Sequence, residues 1–397
     1  MSLLVAPPLS LYVHMPWCVR KCPYCDFNSH AAPERMPQQD YIAALLDDLD
    51  QELSAVADRP LVSIFFGGGT PSLFAAEAID EFLRGVRARI ECVADIEITL
   101  ETNPGTIERG RFAGYKDAGV NRISLGAQSF DEGQLHALGR IHGAGDIHRA
   151  VAELSSAGID NFNLDLMYAL PQQTIEGARQ DLEQAIALKP THISHYQLTL
   201  EPGTAFYHRP PPLPDDDASW EMQLNCQELL ALHGYAQYEV SAYAHTEGRC
   251  RHNLNYWLFG DYIGIGAGAH GKLTDAREQC IVRTVRHRQP REYLRHRGAA
   301  RTSERRIVAP QELPLEFMLN ALRLRDGFTV AQFESRTGVE LHTIGRTLEE
   351  CERKGLLVRS DAAVRPTELG RRFLNDLQQL FLPEVIASAH PRRATSA

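Results

Sequence analysis

Short apolar runs alternate with amphipathic segments through most of this chain. The runs are rich in β-branched and aromatic residues, as strands are, and occur at 61–70, 95–104, 120–130, 161–171 and 192–200. The segments between them, such as 174–188, repeat apolar residues at spacings of three and four, as amphipathic helices do. A strand, a helix and a second strand form a right-handed crossover in a parallel sheet. The alternation therefore predicts an α/β fold whose parallel sheet is buried on both faces.

Polar side chains stand near the ends of the predicted strands, notably Glu101, Asn103, Gln128 and Asp165. Parallel strands present their carboxyl ends at one edge of the sheet, where α/β barrels and open α/β sheets bind their ligands. We therefore expect the functional site at this edge. Each carboxylate taken alone could also be a capping group at a turn between strand and helix.

The composition excludes several classes of protein. No apolar run approaches the roughly 18–20 residues needed to span a bilayer, and the first ten residues contain two prolines and no basic residue. The net charge of −10 argues against a broad surface for nucleic acid. Eight cysteines in 397 residues are too sparse for a disulfide scaffold and fit a reducing compartment. We predict a cytoplasmic protein with no nucleic-acid partner.

The pattern changes near residue 300. Segments beyond about residue 310 are helical and precede a hairpin-like stretch at 357–370, an arrangement typical of winged-helix modules. Such modules often bind DNA, but 15 Lys or Arg against 13 Asp or Glu in residues 301–397 form no basic recognition face. We predict two domains, 1–300 and 301–397, of which the second is smaller, mostly helical and used for packing or as a lid.

Cys18, Cys22 and Cys25 have the spacing C-x3-C-x2-C, and the other five cysteines are scattered singly. Three thiolates are one ligand short of a closed tetrahedral zinc site, and the chain has no second paired-cysteine knuckle to supply the fourth. The trio suits a [4Fe–4S] cluster that is held at three irons and open at the fourth. A zinc site completed by a distant ligand and a chance spacing are the alternatives.

A glycine run at 67–69 ends the first of these strands and is followed by Thr70. Glycines let a ligand approach the backbone closely, although a lone run is more often a tight turn between strand and helix. Taken with the cysteine spacing and with Tyr24 before the third cysteine, the run resembles the cofactor motifs of the radical S-adenosylmethionine superfamily.

The resemblance covers nearly the whole chain and narrows to the HemN-like branch of that superfamily, through LSLYVHMPWC, GGGTPSLF, ETNPGT, RISLGAQSF, LGRIH, NLDLMYALPQQT and GIGAGAHG. It implies a partial (β/α)6 barrel, with a [4Fe–4S] cluster on the three cysteines and S-adenosylmethionine beside it. By the same resemblance, the cofactor contacts would come from Tyr12, Tyr24, Gly68, Gly69, Thr70, Glu101, Gln128, Arg140 and Asp165. Tyr12 would lie near the cluster, Tyr24 by the adenine and residues 68–70 at the methionyl end. Arg140 could otherwise be a surface side chain.

Residues near the cysteines distinguish two members of the branch. The pattern of the oxygen-independent coproporphyrinogen III dehydrogenase has a further cysteine where Phe27 stands and an extension before the first strand, whereas eleven residues precede Tyr12 here. The motifs CDFNSH and HNLNYW instead resemble the HemW family of haem chaperones. This resemblance implies a chaperone, rather than an enzyme, that keeps both cofactors and delivers haem to apoproteins, with peripheral association at membrane haem proteins. The dehydrogenase of porphyrin biosynthesis is the alternative.

His252, in HNLNYW, is a predicted axial ligand of the haem iron, because imidazole is a common protein donor to haem. A histidine in a polar loop is more often simply exposed. Tyr256 and Trp257 could stack on the porphyrin or belong to the core. The arginine-rich stretch 283–297 could pair with haem propionates or form a solvated helix face.

Overall fold

The computed structural model of the chain describes residues 3–383 except 57 and 106–109. Thr106, the last residue of the ETNPGT motif, lies outside the described residues. The strands of the first part are β1 (Leu9–Met15), β2 (Trp17–Cys18), β3 (His30–Ala31), β4 (Leu61–Gly68), β5 (Cys92–Thr102), β6 (Arg122–Gln128), β7 (Phe162–Tyr168) and β8 (His192–Gln197). They are followed by β9 (Ala236–Glu239), β10 (Ala242–Ala244), β11 (Asp261–Ile265), β12 (His270–Asp275), β13 (Cys280–Arg286) and β14 (Thr302–Ile307).

Amphipathic helices connect these strands. They are α1 (Gln38–Asp50), α2 (Ala76–Arg87), α3 (Phe112–Ala118), α4 (Glu132–Ala137), α5 (Ala144–Ser156), α6 (Ile175–Ala187), α7 (Ala205–His208), α8 (Asp216–Leu232), α9 (Arg251–Trp257) and α10 (Pro290–Arg295). The segment predicted at 174–188 is α6, which begins after Thr174 because that hydroxyl accepts a hydrogen bond from the Gly177 amide at 3.1 Å.

Within the described residues, twelve strands form one sheet in the order β14-β13-β12-β11-β1-β4-β5-β6-β7-β8-β10-β9. The neighbouring strands from β11 through β1 and β4 to β8 run parallel. Antiparallel strands extend both edges. Each of β1 and β4–β8 is followed by a helix. The predicted α/β fold and its (β/α)6 arrangement are therefore confirmed.

Alternate residues of a strand point to opposite faces of the sheet. In β1, Leu9, Leu11 and Val13 belong to the main apolar core. Tyr12, between two of them, instead lines a cavity on the concave inner face. This alternation leaves polar side chains inside the curved sheet, where they are available to a ligand.

Residues beyond β14 form a smaller unit, whose apolar core also takes in Leu4, Phe259 and Ile281 of the first unit. Its helices are α11 (Leu313–Ala321), α12 (Val330–Thr337), α13 (Gly345–Arg353), α14 (Glu368–Arg372) and α15 (Leu374–Gln379). Its strands β15 (Phe328–Thr329), β16 (Leu357–Arg359) and β17 (Ala363–Pro366) form a separate antiparallel sheet. The core contains Phe317, Phe328 and Phe333, whose rings pack edge-on or tilted against one another. Helices combined with a small sheet give the predicted winged-helix-like arrangement.

The two units meet a few residues beyond the predicted boundary at 301. Strand β14 pairs with β13 and completes the edge of the large sheet, so residues 302–307 belong to the first unit. Its sequence, TSERRI, is mostly exposed and polar, so it lacks the apolar run that marks the other strands. The smaller unit contacts the first through Arg323, which pairs with Glu239 at 3.1 Å and lies 4.5 Å from the centre of the Trp257 ring. In the part of the chain that is described, no helix is long and apolar enough to cross a membrane.

Candidate functional site

A cavity of about 410 Å³ opens at the carboxyl ends of β4–β8, beside the loop that carries the three cysteines. It brings together every predicted site residue except Tyr12 and His252. The predicted residues in its wall are Cys18, Cys22, Tyr24, Cys25, Gly68, Gly69, Thr70, Glu101, Gln128, Arg140 and Asp165. The expectation that the site lies at this edge of the sheet thus agrees with the geometry.

The cysteine loop is closed by a short parallel pairing of β2 with β3. The backbone turns between Cys22 and Cys25, whose amide donates to the Cys22 carbonyl at 3.2 Å. All three thiols are free and partly exposed. Burial raises the pKa of the Cys18 and Cys25 thiols, so a positive partner is needed to stabilise their thiolates.

Within the described residues, no three His, Cys, Asp or Glu side chains converge on a position for a single metal ion. A [4Fe–4S] cluster does not require such convergence, because each of three irons takes its own thiolate. Three thiols on the wall of one cavity match that donor set. The loop therefore fits a cluster by the chemistry of its donors.

Arg140 links the cysteine loop to the strand ends. Its Nη1 donates to the Cys22 Sγ at 3.7 Å, and its Nη2 donates to the Asn103 Oδ1 at 2.5 Å and to the Gly126 carbonyl at 2.6 Å. Asn103 in turn donates from Nδ2 to the Thr70 Oγ1 at 3.0 Å. Arg140 is therefore not the surface side chain of the alternative interpretation but the centre of a network at the cavity.

The glycine run is required by contacts within the protein. Gly68 has φ of 109°, and a Cβ there would overlap the imidazole of His14. A Cβ at Gly69 would lie 2.6 Å from the Trp17 carbonyl oxygen. The Gly69 and Thr70 amides donate to the Met15 and Trp17 carbonyls, each at 2.7 Å. The run thus lets the end of β4 pass against the start of the cysteine loop.

Two carboxyl groups face the cavity with different surroundings. Among the described residues, Glu101 accepts one hydrogen bond, from the Gly68 amide at 3.2 Å. Burial together with the nearby Asp165 raises its pKa to about 8. Asp165 accepts from Asn163 at 2.8 Å and from Ser124 at 3.1 Å. Burial also raises the pKa of Asp165. Glu101 is therefore protonated at neutral pH unless a cation enters the cavity.

Apolar and amide groups complete the wall. Tyr24 packs against a small buried cluster that contains Leu138, Met167 and Leu198. Gln128, at φ of 69°, accepts from the Tyr196 hydroxyl at 2.7 Å. An apolar surface beside amide groups is suited to a ring that also carries hydrogen-bonding atoms, such as a purine.

His252 and Tyr12 border a second cavity, of about 310 Å³, on the concave face of the sheet. His252 lies in α9 and is 2% exposed, so the alternative of an exposed loop residue is wrong. Its Nδ1 hydrogen-bonds the Ser63 hydroxyl at 2.9 Å, and its ring stacks on Phe65 with centroids 4.9 Å apart. Burial lowers its pKa to about 3. Its Nε2 has no hydrogen-bond partner among the described residues.

Known protein families match this chain both in sequence and in the order of its two domains. A family model described as Radical SAM superfamily matches residues 12–185, and one described as HemN C-terminal domain matches residues 308–373. "Heme chaperone HemW" of Escherichia coli strain K12 is 50% identical over 380 residues, which are 95% of this chain and 99% of that protein. The chain belongs to the HemW family of the radical SAM superfamily. The HemW of Haemophilus influenzae is 49% identical over 95% of this chain and 99% of its own length. That of Bacillus subtilis is 30% identical over 95% and 100%.

A solved structure of a protein with a different name has the same fold as this HemW family member. The solved structure titled as coproporphyrinogen III oxidase (HemN) from Escherichia coli matches with a TM-score of 0.80 at 20% identity, over 95% of this chain and 90% of that one. At this identity the likeness shows the fold alone. The predicted radical SAM barrel with a C-terminal helical domain is confirmed.

Several residues of the cavity were not predicted as site residues. Asn103 was predicted only as a polar strand-end residue, although it joins Arg140 to Thr70. Thr102 also lines the cavity, and its buried hydroxyl has no hydrogen-bond partner among the described residues. Position at a strand end is the signal that marks both. The arginine-rich stretch differs from expectation, because Arg286 is fully buried in ion pairs with Asp48 and Glu52 at 2.9 and 2.7 Å.

Proposed function

We propose that this chain is a haem chaperone that retains a [4Fe–4S] cluster and S-adenosylmethionine, binds haem and passes it to apoproteins. The observation that carries the proposal is the 50% identity, over nearly the full length of both chains, to a protein named as a haem chaperone. The cavity with three free thiols and the adjoining strand-end residues supports the retention of both cofactors.

Cys18, Cys22 and Cys25 would hold the cluster, and the Arg140 guanidinium would stabilise the Cys22 thiolate by its charge. Bound there, the cluster would supply an electron to the sulfonium of S-adenosylmethionine. Tyr12 would border the cofactor from the concave face, and Tyr24 would contact its adenine.

The methionyl end would lie against residues 68–70 at the end of β4. Its ammonium group would meet Glu101 and Asp165, whose burial makes them strong partners for a cation. Gln128 would contribute its amide from the end of β6.

We further propose that the recipients are haem-requiring apoproteins, including membrane proteins that the chain meets from a peripheral position. A reducing compartment such as the cytoplasm suits a chain whose described cysteines are all free. The unit beyond residue 307 would have a packing role, with its Arg323 lying over the Trp257 ring of α9.

Anaerobic haem binding and transfer test the proposal. The reconstituted full chain should bind haem with a distinct Soret band and pass it to an excess of an apo-haem protein, followed by the Soret band of the acceptor. Heat-unfolded chain provides the control for non-specific adsorption. A chain that binds no haem, or that never releases it to the acceptor, would contradict the proposal.

A further inference from the structure

A groove of about 590 Å³ lies beside the cofactor cavity. One wall is a row of cross-strand neighbours on the antiparallel edge of the sheet, in which His270 of β12 pairs with Val285 of β13, and Val285 pairs with Glu304 of β14. Phe27 and Asn28 of the cysteine loop line it as well. The groove therefore lies where the cysteine loop and the ends of the parallel strands β1, β4 and β5 meet the antiparallel edge of the sheet.

Two aromatic rings give the groove an apolar surface. Tyr256 and Tyr262 both line it, and their ring centroids are 4.2 Å apart. Phe27 is 59% exposed, although it lines both this groove and the cofactor cavity. An exposed phenyl group and two tyrosine rings, tilted by 40° to each other, offer aromatic surface on which a flat, largely apolar ligand can pack.

The groove also presents an imidazole that the protein itself does not use. His270 is exposed, and no hydrogen bond to its ring occurs among the residues that the structure describes. Partial burial lowers its pKa, as do the charges of Arg283 and Arg288. The ring is therefore neutral at neutral pH, the form that coordinates a metal.

The other groove histidine, His14, is not available in this way. Its Nδ1 hydrogen-bonds the Tyr12 hydroxyl at 3.0 Å and its Nε2 hydrogen-bonds the Asn28 carbonyl at 2.9 Å. Both nitrogens are thus engaged within the protein, and His270 is the imidazole that an incoming iron would meet.

We propose that this groove binds haem, with His270 as an axial ligand of the iron and Arg288 pairing with a propionate. The inference deepens the proposed chaperone function and rests on it. Imidazole is a common axial ligand of haem, and guanidinium groups bind carboxylates with two parallel hydrogen bonds. Arg288 is exposed, and its carbonyl accepts from Asn28 at 3.0 Å, so the backbone is anchored. Its side chain makes no hydrogen bond or ion pair among the described residues and can turn to a ligand. Glu304 lies on the same wall, and its negative charge repels the propionates and so favours their pairing with Arg288.

His252 is less suited to this cargo. The residue lines the concave-face cavity of about 310 Å³, which is bordered by the barrel strands and α9, but its Nε2 is buried and has no hydrogen-bond partner among the described residues. Tyr256 lines both that cavity and the groove, and its ring centroid is 4.9 Å from that of His252. His252 is not among the residues that line the groove, whereas His270 lines it and is exposed.

Haem titration of the full chain with its reconstituted cluster tests the proposal. In His270→Ala, the Soret band should shift and the affinity should fall by about tenfold or more, because the iron loses a coordinating imidazole. Added free imidazole should restore the band. Arg288→Ala should weaken binding without moving the Soret band. The matched control is His296→Ala, a partly buried histidine that stacks on His287 outside the groove.

The outcomes are distinct. An unchanged Soret band and unchanged affinity in His270→Ala, with haem bound by the unmodified chain, would overturn the groove assignment and leave the chaperone function standing. If His270→Ala changes neither the Soret band nor the affinity but His252→Ala shifts the band, His252 is the axial ligand and the groove assignment is wrong. Absence of haem binding by the unmodified chain would overturn both the assignment and the proposed function.

Discussion

The Nη1 of Arg140 lies 3.7 Å from the Sγ of Cys22, although 118 residues separate them in sequence. The same guanidinium binds Asn103 and the Gly126 carbonyl, so one side chain joins the cysteine loop to the ends of β5 and β6. A guanidinium at this position can donate a charge-assisted hydrogen bond to a sulfur that holds a cluster. Arg140 thus couples the proposed cluster to the strand ends where the proposed cofactor binds.

Replacing Arg140 by Gln should therefore affect both cofactors. The guanidinium holds Asn103 and the Gly126 carbonyl at the cavity by internal hydrogen bonds, each contributing about 1.5–3 kcal/mol. Without them we expect the strand ends to be held less firmly and S-adenosylmethionine to bind more weakly. Iron should be lost faster from the reconstituted cluster. Equilibrium dialysis and iron analysis measure the two effects. Arg179→Gln, an exposed residue that pairs with Glu183 on α6, is the control and should change neither.

The cluster prediction concerns the cysteines themselves. Anaerobically reconstituted protein should contain about four irons per chain, as one [4Fe–4S] cluster requires. Alanine at Cys18, Cys22 or Cys25 should abolish this content, whereas Cys92→Ala should retain it because Cys92 lies at the start of β5, away from the loop. Iron content and the visible absorption of the cluster report the result. Tightly bound zinc in place of iron would contradict the assignment.

Gly68→Ala should destabilise the chain rather than only block a ligand. The position requires a positive φ, and the added methyl group would overlap His14. Strain at such positions is of order 1–3 kcal/mol, which urea unfolding can resolve as a lower midpoint. Gly145→Ala on α5, where the nearest atom belongs to the flexible Arg149 side chain, is the control. Equal midpoints for the two variants would show that Gly68 is free of this constraint.

This contact illustrates which features the sequence could and could not predict. The cysteine spacing and the polar strand ends are local patterns, and they identified the three cysteines and several strand-end residues of the cavity wall. Tyr24 and Arg140 were implied only by the family resemblance. The conflict between Gly68 and His14 depends on the pairing of β1 with β4, which only the folded sheet defines. The burial of His252 has the same origin, because Glu97 of β5 accepts from the first amides of α9 at 3.0 Å. Strand register, and the capping of a helix by a residue distant in sequence, bring together residues that no sequence spacing connects.

The raised pKa of Glu101 predicts that the stability of the protein without S-adenosylmethionine depends on pH. Its folded pKa of about 8 lies above the ordinary value of 4.5, so the folded state binds more protons between these limits. The contribution of this group to stability is therefore present at low pH and is lost as pH rises toward 8, by at most about 1.4 kcal/mol per pH unit. Urea unfolding from pH 5 to 8.5 should show a smaller decline in Glu101→Gln. Parallel pH profiles for the two proteins would argue against a raised pKa.

The residue at position 27 distinguishes the haem chaperone from the coproporphyrinogen III dehydrogenase, the two functions considered for this HemN-like fold. An exposed phenyl group stands where the dehydrogenase pattern has cysteine, and it lines both the cofactor cavity and the neighbouring groove. It offers packing surface to a haem but no thiol for proton or electron transfer. We therefore expect the reconstituted chain, supplied with reductant and S-adenosylmethionine, to leave coproporphyrinogen III unconverted while it still binds haem. Chromatographic detection of protoporphyrinogen IX, after oxidation to the porphyrin, measures the first outcome. Substantial conversion that disappears in Cys22→Ala would show that the chain is a dehydrogenase, because the reaction would then depend on the cluster that Cys22 holds.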